Sequence, residues 1–211
     1  ESGQGLSSLS LTISNVSDGA SEVLVIDGSN VALTHGNSVV TTINSLTVGV
    51  SLTGTTATVS FSGASISSAS FITLLEGLKY KNNSENPSVL STRVVIIKSI
   101  KDTGGTDSGG VDSLSLSLSS TVALSAVNNA SVFTGTFTGT VAEGNIGDAA
   151  VIATGSISIT DADDSPTISN VTSTAGSNGY GHFVLAAGVW TYTLDQSAVQ
   201  SLASGASVSD T

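Results

Sequence analysis

The chain has 211 residues, no cysteine, and 16 Asp and Glu against 5 Lys and Arg, for a formal net charge of -11. That length suits one large or, better, two ordinary domains whose cores need no disulfides, and it excludes a small cysteine-stapled ectodomain. So acidic a surface repels phosphate, which argues against nucleic acid and anionic membranes as partners and favours divalent cations.

Apolar residues alternate with Ser, Thr and Gly, so the chain is expected to be folded and β-rich rather than disordered. Leu9, Leu11, Ile13 and Val16 predict a first strand over residues 8–16, and Glu22-Val-Leu-Val-Ile-Asp27 a short, more buried one. Strands over 47–52 and 57–61 follow, joined through Gly54. Phe71, Leu74, Leu75 and Leu78 then fall at i, i+3, i+4 and i+7, which predicts one short helix over 67–78, capped by Ser67 or Ser68 and ending near Gly77. Tyr80 opens another strand. Lys81-Asn-Asn-Ser-Glu-Asn-Pro87 supplies a turn before a strand over 93–100.

A Gly-rich acidic turn, Lys101-Asp-Thr-Gly-Gly-Thr-Asp-Ser-Gly-Gly-Val-Asp112, precedes the alternation Leu114, Leu116, Leu118, Val122, Leu124, which closes a first domain, 1–126. Ala126-Val-Asn-Asn-Ala130 stands where the family resemblance given below implies a linker, and the second domain is taken as 127–211. Its strands are expected from Val132 through Phe137 and Val141, over 150–160, 167–171, 182–185 and 189–194. A short helix capped by Asp195 holds Val199 and Leu202, with Gly205 at its end. No apolar run reaches the roughly 20 residues of a transmembrane helix. The opening Glu1-Ser-Gly-Gln-Gly lacks the basic and apolar regions of a secretory signal, as an internal fragment or a protein exported by a C-terminal signal would.

Asp161, Asp163 and Asp164 stand within four residues just after a strand. A turn lets alternate carboxylates converge on one ion, and hard oxygen ligands favour Ca²⁺; a solvated acidic turn is the plainer alternative. Asp102, Asp107 and Asp112, spaced by five with Gly pairs between, are a second candidate set, a flexible hairpin loop being the alternative. Glu1, Asp18, Glu22 and Asp27 are weaker candidates. Enzyme chemistry is not expected. His35 and His182 are the only histidines, so no usual zinc site or Cys-His pair can be assembled, and no Gly-x-Ser-x-Gly elbow supports a triad. Trp190 and Tyr192 share one strand face and could stack on a sugar, although a core role is the expectation.

The stretch Thr160-Asp-Ala-Asp-Asp-Ser-Pro166 and the later Gly188-Val-Trp-Thr-Tyr-Thr-Leu194 together resemble the VCBS-type repeat of large bacterial surface adhesins of the RTX class. In that repeat an acidic turn follows one strand and a Gly-x-Trp-x-Tyr-x-Leu hairpin comes later. Leu11-Thr-Ile-Ser-Asn-Val-Ser-Asp-Gly-Ala-Ser-Glu22 and Ile97-Lys-Ser-Ile-Lys-Asp-Thr-Gly-Gly105 resemble cadherin-like or immunoglobulin-like repeats of the same adhesins. Three positions depart from the pattern: Asn129 and Ser131 stand where the linker has Asp and Pro, and Ala187 where Asp often precedes the Gly-x-Trp.

The resemblance implies an all-β chain of two tandem antiparallel β-sandwich domains, each with at most one short helix, the second C-terminally incomplete. It implies Ca²⁺ at module junctions, with Glu143 sharing an ion with Asp161 and Asp163 and with carbonyl oxygens from Asn128 and Asn129. The expected function is structural: extender modules of an adhesin exported by type I secretion to the bacterial surface, supporting adhesion and biofilm formation, with neighbouring repeats as partners. The alternative is a module of the same adhesin that binds a glycan or a host protein.

Overall fold

The computed structural model describes residues 4–211; Glu1 lies outside them. The chain divides into two compact units, residues 1–127 and 128–211. Both are built from antiparallel sheets with one short α-helix each, an all-β architecture.

In unit 1 the strands are β1 (Leu6–Ser14), β2 (Glu22–Ile26), β3 (Ser29–Ala32), β4 (Ser38–Val40), β5 (Thr47–Thr53), β6 (Thr56–Phe61), β7 (Lys79–Asn82), β8 (Arg93–Asp102) and β9 (Ser113–Val122), with helix α1 (Ser68–Glu76) before β7. A six-stranded sheet, β4-β5-β6-β1-β8-β9, faces a three-stranded one, β3-β2-β7. The alternation in β1 places Leu9, Leu11 and Ile13 at 1, 0 and 0 % exposure, where they meet Leu24, Ile26, Val31, Val48, Val59 and Phe71 in one core. The predicted cap of α1 is present, since the Ser67 hydroxyl accepts the Ser70 amide.

Strands β3 and β4 were not expected from the sequence. Asp27 and Gly28 (φ 49° and 75°) turn β2 back as β3, and two consecutive positive φ values are what a tight hairpin needs. A Cβ on Gly28 would also lie 2.7 Å from the Thr42 hydroxyl, so glycine is required twice over. The clean alternation of β9 did not yield a buried face, because the core is centred under β5, β6 and β1. Leu114 and Leu118 stay exposed, while Val95, Ile97 and Ile100 of β8 are half-buried.

Unit 2 holds β10 (Val132–Gly135), β11 (Ile152–Thr160), β12 (Val171–Ala175), β13 (Gly181–Ala186) and β14 (Val189–Leu194), then α2 (Gln196–Val199), in one sheet ordered β10-β11-β14-β13-β12. The expected strand through Phe137 and Val141 ends instead at Gly135, and residues 137–141 are irregular. Gly139 lies against the Trp190 ring, where a Cβ would come within 2.8 Å, so this segment covers the sheet face rather than pairing at an edge. The strand expected over 167–171 begins only at Val171. Ala187 and Gly188, both at positive φ, make the β13–β14 turn. The Asp195 side chain accepts the Ser197 amide and caps α2 as its sequence suggested.

Candidate functional site

The acidic turn is positioned by strand register. Pairing of Val132 with Thr160 sets the residues before β10 beside those after β11. Asp161 Oδ1 accepts the amides of Asp163 (2.8 Å) and Asp164 (3.0 Å), and its Oδ2 accepts the Ser131 hydroxyl at 2.7 Å. The Asp163 carboxylate accepts the Asn129 amide. The Ser131 hydroxyl first, and then the two amides, hold the Asp161 carboxyl below its usual range. The structure thus ties Asp163 to Asn129 and Asp161 to Ser131, while the Asn128 side chain donates to the Asn129 carbonyl.

The backbone of Gly144, next to Glu143, is tied to α2: its amide donates to Gln196 Oε1 and its carbonyl accepts Gln200 Nε2, both at 2.8 Å. Asp102, Asp107 and Asp112 do not gather. Asp112 pairs with Lys101 at 2.8 Å, Asp102 Oδ1 accepts the Gly104 amide at 2.8 Å, and Asp107 begins a short 3-10 turn. Among the described residues no three His, Cys, Asp or Glu side chains are grouped closely enough to hold an ion. What the turn offers is a pair of carboxylates, oriented by amides and a hydroxyl. It stands in a unit whose seven carboxylates have no Lys or Arg among residues 128–211.

The weaker candidates Asp18, Glu22 and Asp27 have internal partners. Arg93 and Glu22 are both 0 % exposed, at the starts of β8 and β2 and therefore on opposite sheets. Arg93 Nη2 donates to Glu22 Oε1 at 2.9 Å and to Asp18 Oδ2 at 3.2 Å, and its Nη1 reaches the carbonyls of Ser88 and Ser91. The Tyr80 hydroxyl donates to Glu22 Oε2 at 2.6 Å. Burial alone would raise the Glu22 pKa, but Arg93, Tyr80 and the amides of Asp18 and Ser17 outweigh it and hold the carboxyl below 4.5. Sequence reasoning missed Arg93 altogether.

Asp27, 4 % exposed, organises the loop between β4 and β5. Its carboxylate accepts the Thr41 hydroxyl, the Asn44 amide (2.9 Å) and Asn44 Nδ2 (2.6 Å), while Thr41 Oγ1 in turn accepts the Leu46 amide. Asp27→Ala leaves these donors without their acceptor and is expected to lower stability by about 1–3 kcal/mol, read from the midpoint of urea unfolding. A cost below a few tenths would mean that water substitutes freely for the carboxylate.

Trp190 is 7 % exposed, donates its indole N–H to the Thr136 carbonyl at 2.6 Å and stacks on Phe183 with ring centroids 6.4 Å apart. It is a core residue of unit 2, as the sequence suggested. A groove of about 960 Å³ lies along this face, lined among others by Phe137, Val141, Tyr192, Leu202 and Val208. At its rim the Asp210 carboxylate accepts the Tyr192 hydroxyl (2.9 Å) and the amides of Asn178 and Tyr180. Burial, then the bond to Asp210, pushes the Tyr192 pKa up to about 12. His35 is occupied structurally, Nδ1 accepting the Leu52 amide at 3.2 Å. In comparisons with known proteins, no family model matches this chain, and no curated protein or solved structure proves similar to it.

Proposed function

We propose that the chain is a pair of structural extender modules from a bacterial cell-surface adhesin of the RTX class, not an enzyme, and that Ca²⁺ binds at the acidic turn of unit 2 and stiffens the stalk outside the cell. The observation that carries this reading is the turn itself: Asp161 and Asp163 are tethered to Ser131 and Asn129 at the start of a unit with no Lys or Arg of its own. Ca²⁺ would take carboxylate oxygens there, with the carbonyls of Asn128 and Asn129 within the same short segment. Sites of extracellular modules bind at roughly 10⁻⁴ to 10⁻³ M, which suits assembly outside the cell and an unfolded, exportable chain inside it.

The test compares the melting temperature and the scattering-derived length in Ca²⁺, in Mg²⁺ and in chelator. Ca²⁺ at about 100 times its dissociation constant is expected to add roughly 2.7 kcal/mol per site, and Asp161→Asn with Asp163→Asn to abolish the response. If neither quantity responds to Ca²⁺, the reading is wrong. The apolar groove of unit 2 favours a second reading, a ligand-binding module. Burial of Trp190 removes the indole from consideration as an exposed sugar platform.

A further inference from the structure

The register of β1, β8 and β9 fixes how unit 1 meets a pulling force. Leu6 pairs with Asp102 and Lys101 with Ser113, so the start of β1, the end of β8 and the start of β9 share one end of the sheet. Ser14 pairs with Val94 and Arg93 with Val122, so the end of β9 lies at the other. β1 and β9 therefore run parallel to each other on either side of β8. The chain enters unit 1 at one end of this three-strand ribbon and leaves it at the opposite end. Tension between these points acts along the strands, across the inter-strand hydrogen bonds, which lie perpendicular to them. Every bond in both ladders is then loaded together.

We infer that unit 1 is a tension-bearing element in which β1, β8 and β9 form a shear clamp. Three features resist sliding. Register shifts fall at Ser10/Leu11 in the β1–β8 ladder and at Ile97/Ser99 in the β8–β9 ladder, so irregularities at one level of β8 pin the register on both sides. Arg93 ties the start of β8 to Glu22 and Asp18, and Lys101 ties its end to Asp112. At the entry point, β1 is held beyond its ladder. Leu6 exchanges backbone bonds with Ile66, the Ser7 hydroxyl donates to the Asp102 carbonyl, and Thr103 bonds Gly5 through both its amide and its hydroxyl. The clamp deepens the extender reading and rests on it for its biological sense, while its geometry depends on the strand register alone.

Because the described chain has no cysteine, engineered cysteines give unique handles for single-molecule pulling on the whole chain. Handles at Gln4→Cys and Ala126→Cys load the ribbon in shear. Handles at Gln4→Cys and Val111→Cys, both at the same end of the sheet, peel the same ladders apart one pair at a time. Forced unfolding follows the unfolding rate along the pulled path rather than total stability, so the two pairs differ in direction alone. The expected result is a rupture force several-fold higher for the Gln4/Ala126 pair. Equal forces, or a stronger Gln4/Val111 pair, would overturn the clamp. A clear difference in a chain whose length ignores Ca²⁺ would keep the clamp and remove the calcium-stiffened stalk; the converse pattern would do the reverse.

Discussion

Replacing Arg93 by alanine is expected to destabilise unit 1 by about 3–5 kcal/mol, because it strands the Glu22 carboxylate, 0 % exposed, without its cation. Urea unfolding followed by far-UV circular dichroism measures this directly. The paired replacement Arg93→Met with Glu22→Leu removes both charges together and is expected to recover most of the loss, since apolar side chains of similar volume often match a buried ion pair. A loss below about 1 kcal/mol in the single variant would show that water reaches Glu22 and that the network does not hold the two sheets.

The same network sets a pH window. The folded Glu22 pKa lies below its ordinary 4.5, so its contribution is complete above that value and is lost as pH falls through the lower, folded one. Burial, then the Glu22 carboxylate, raises the Tyr80 pKa above 10.0, so that contribution is complete below pH 10 and fades as pH rises through the raised value. The Arg93→Met, Glu22→Leu variant should lose the acid limb.

Trp190→Ala is expected to cost unit 2 about 3–5 kcal/mol, as large-to-small changes at buried aromatics do. The relative effect is severe, because Leu185, Leu194 and Val199 are its only other buried apolar side chains among the described residues. The backbone has been shaped to this ring. A Cβ on Gly155 would lie 2.6 Å from the indole nitrogen, so the neighbouring strand leaves a side-chain position vacant to admit it. Trp190→Phe keeps a ring but deprives the Thr136 carbonyl of its donor, and should lie between wild type and alanine. Thermal unfolding by circular dichroism ranks the three; an alanine variant as stable as the phenylalanine one would show that the ring contributes little.

Much of this fold could be read from period and caps. Leu9, Leu11 and Ile13 announce β1, the spacing of Phe71 and Leu74 announces α1, and Ser67 and Asp195 cap the helices as their positions suggest. Where the reading failed, the cause was short length or long range. β3 and β4 have four and three residues, too few for a period, although the Asp27-Gly28 pair after an apolar run was the available hairpin signal. Arg93 looks like any strand-end cation, and its partner Glu22 lies 71 positions away. A glutamate heading the apolar run Val23-Leu-Val-Ile26 was the one local hint that a cation had to arrive from elsewhere. The acidic turn was visible as a cluster, but its attachment to Asn129 and Ser131 arises only from the register of β10 on β11.

The uneven placement of cations has a further consequence. All five Lys and Arg precede residue 102, so unit 1 neutralises part of its charge from within, as Arg93 and Lys101 illustrate. Residues 128–211 cannot. Their seven carboxylates form a small polyanion whose counter-charge must come from the surrounding electrolyte. At physiological ionic strength the screening length is about 8 Å, so even monovalent ions shorten the reach of this repulsion, and in dilute buffer the unfolded chain gains by spreading it. Unit 2 thus takes part of its stability from the salinity of its medium.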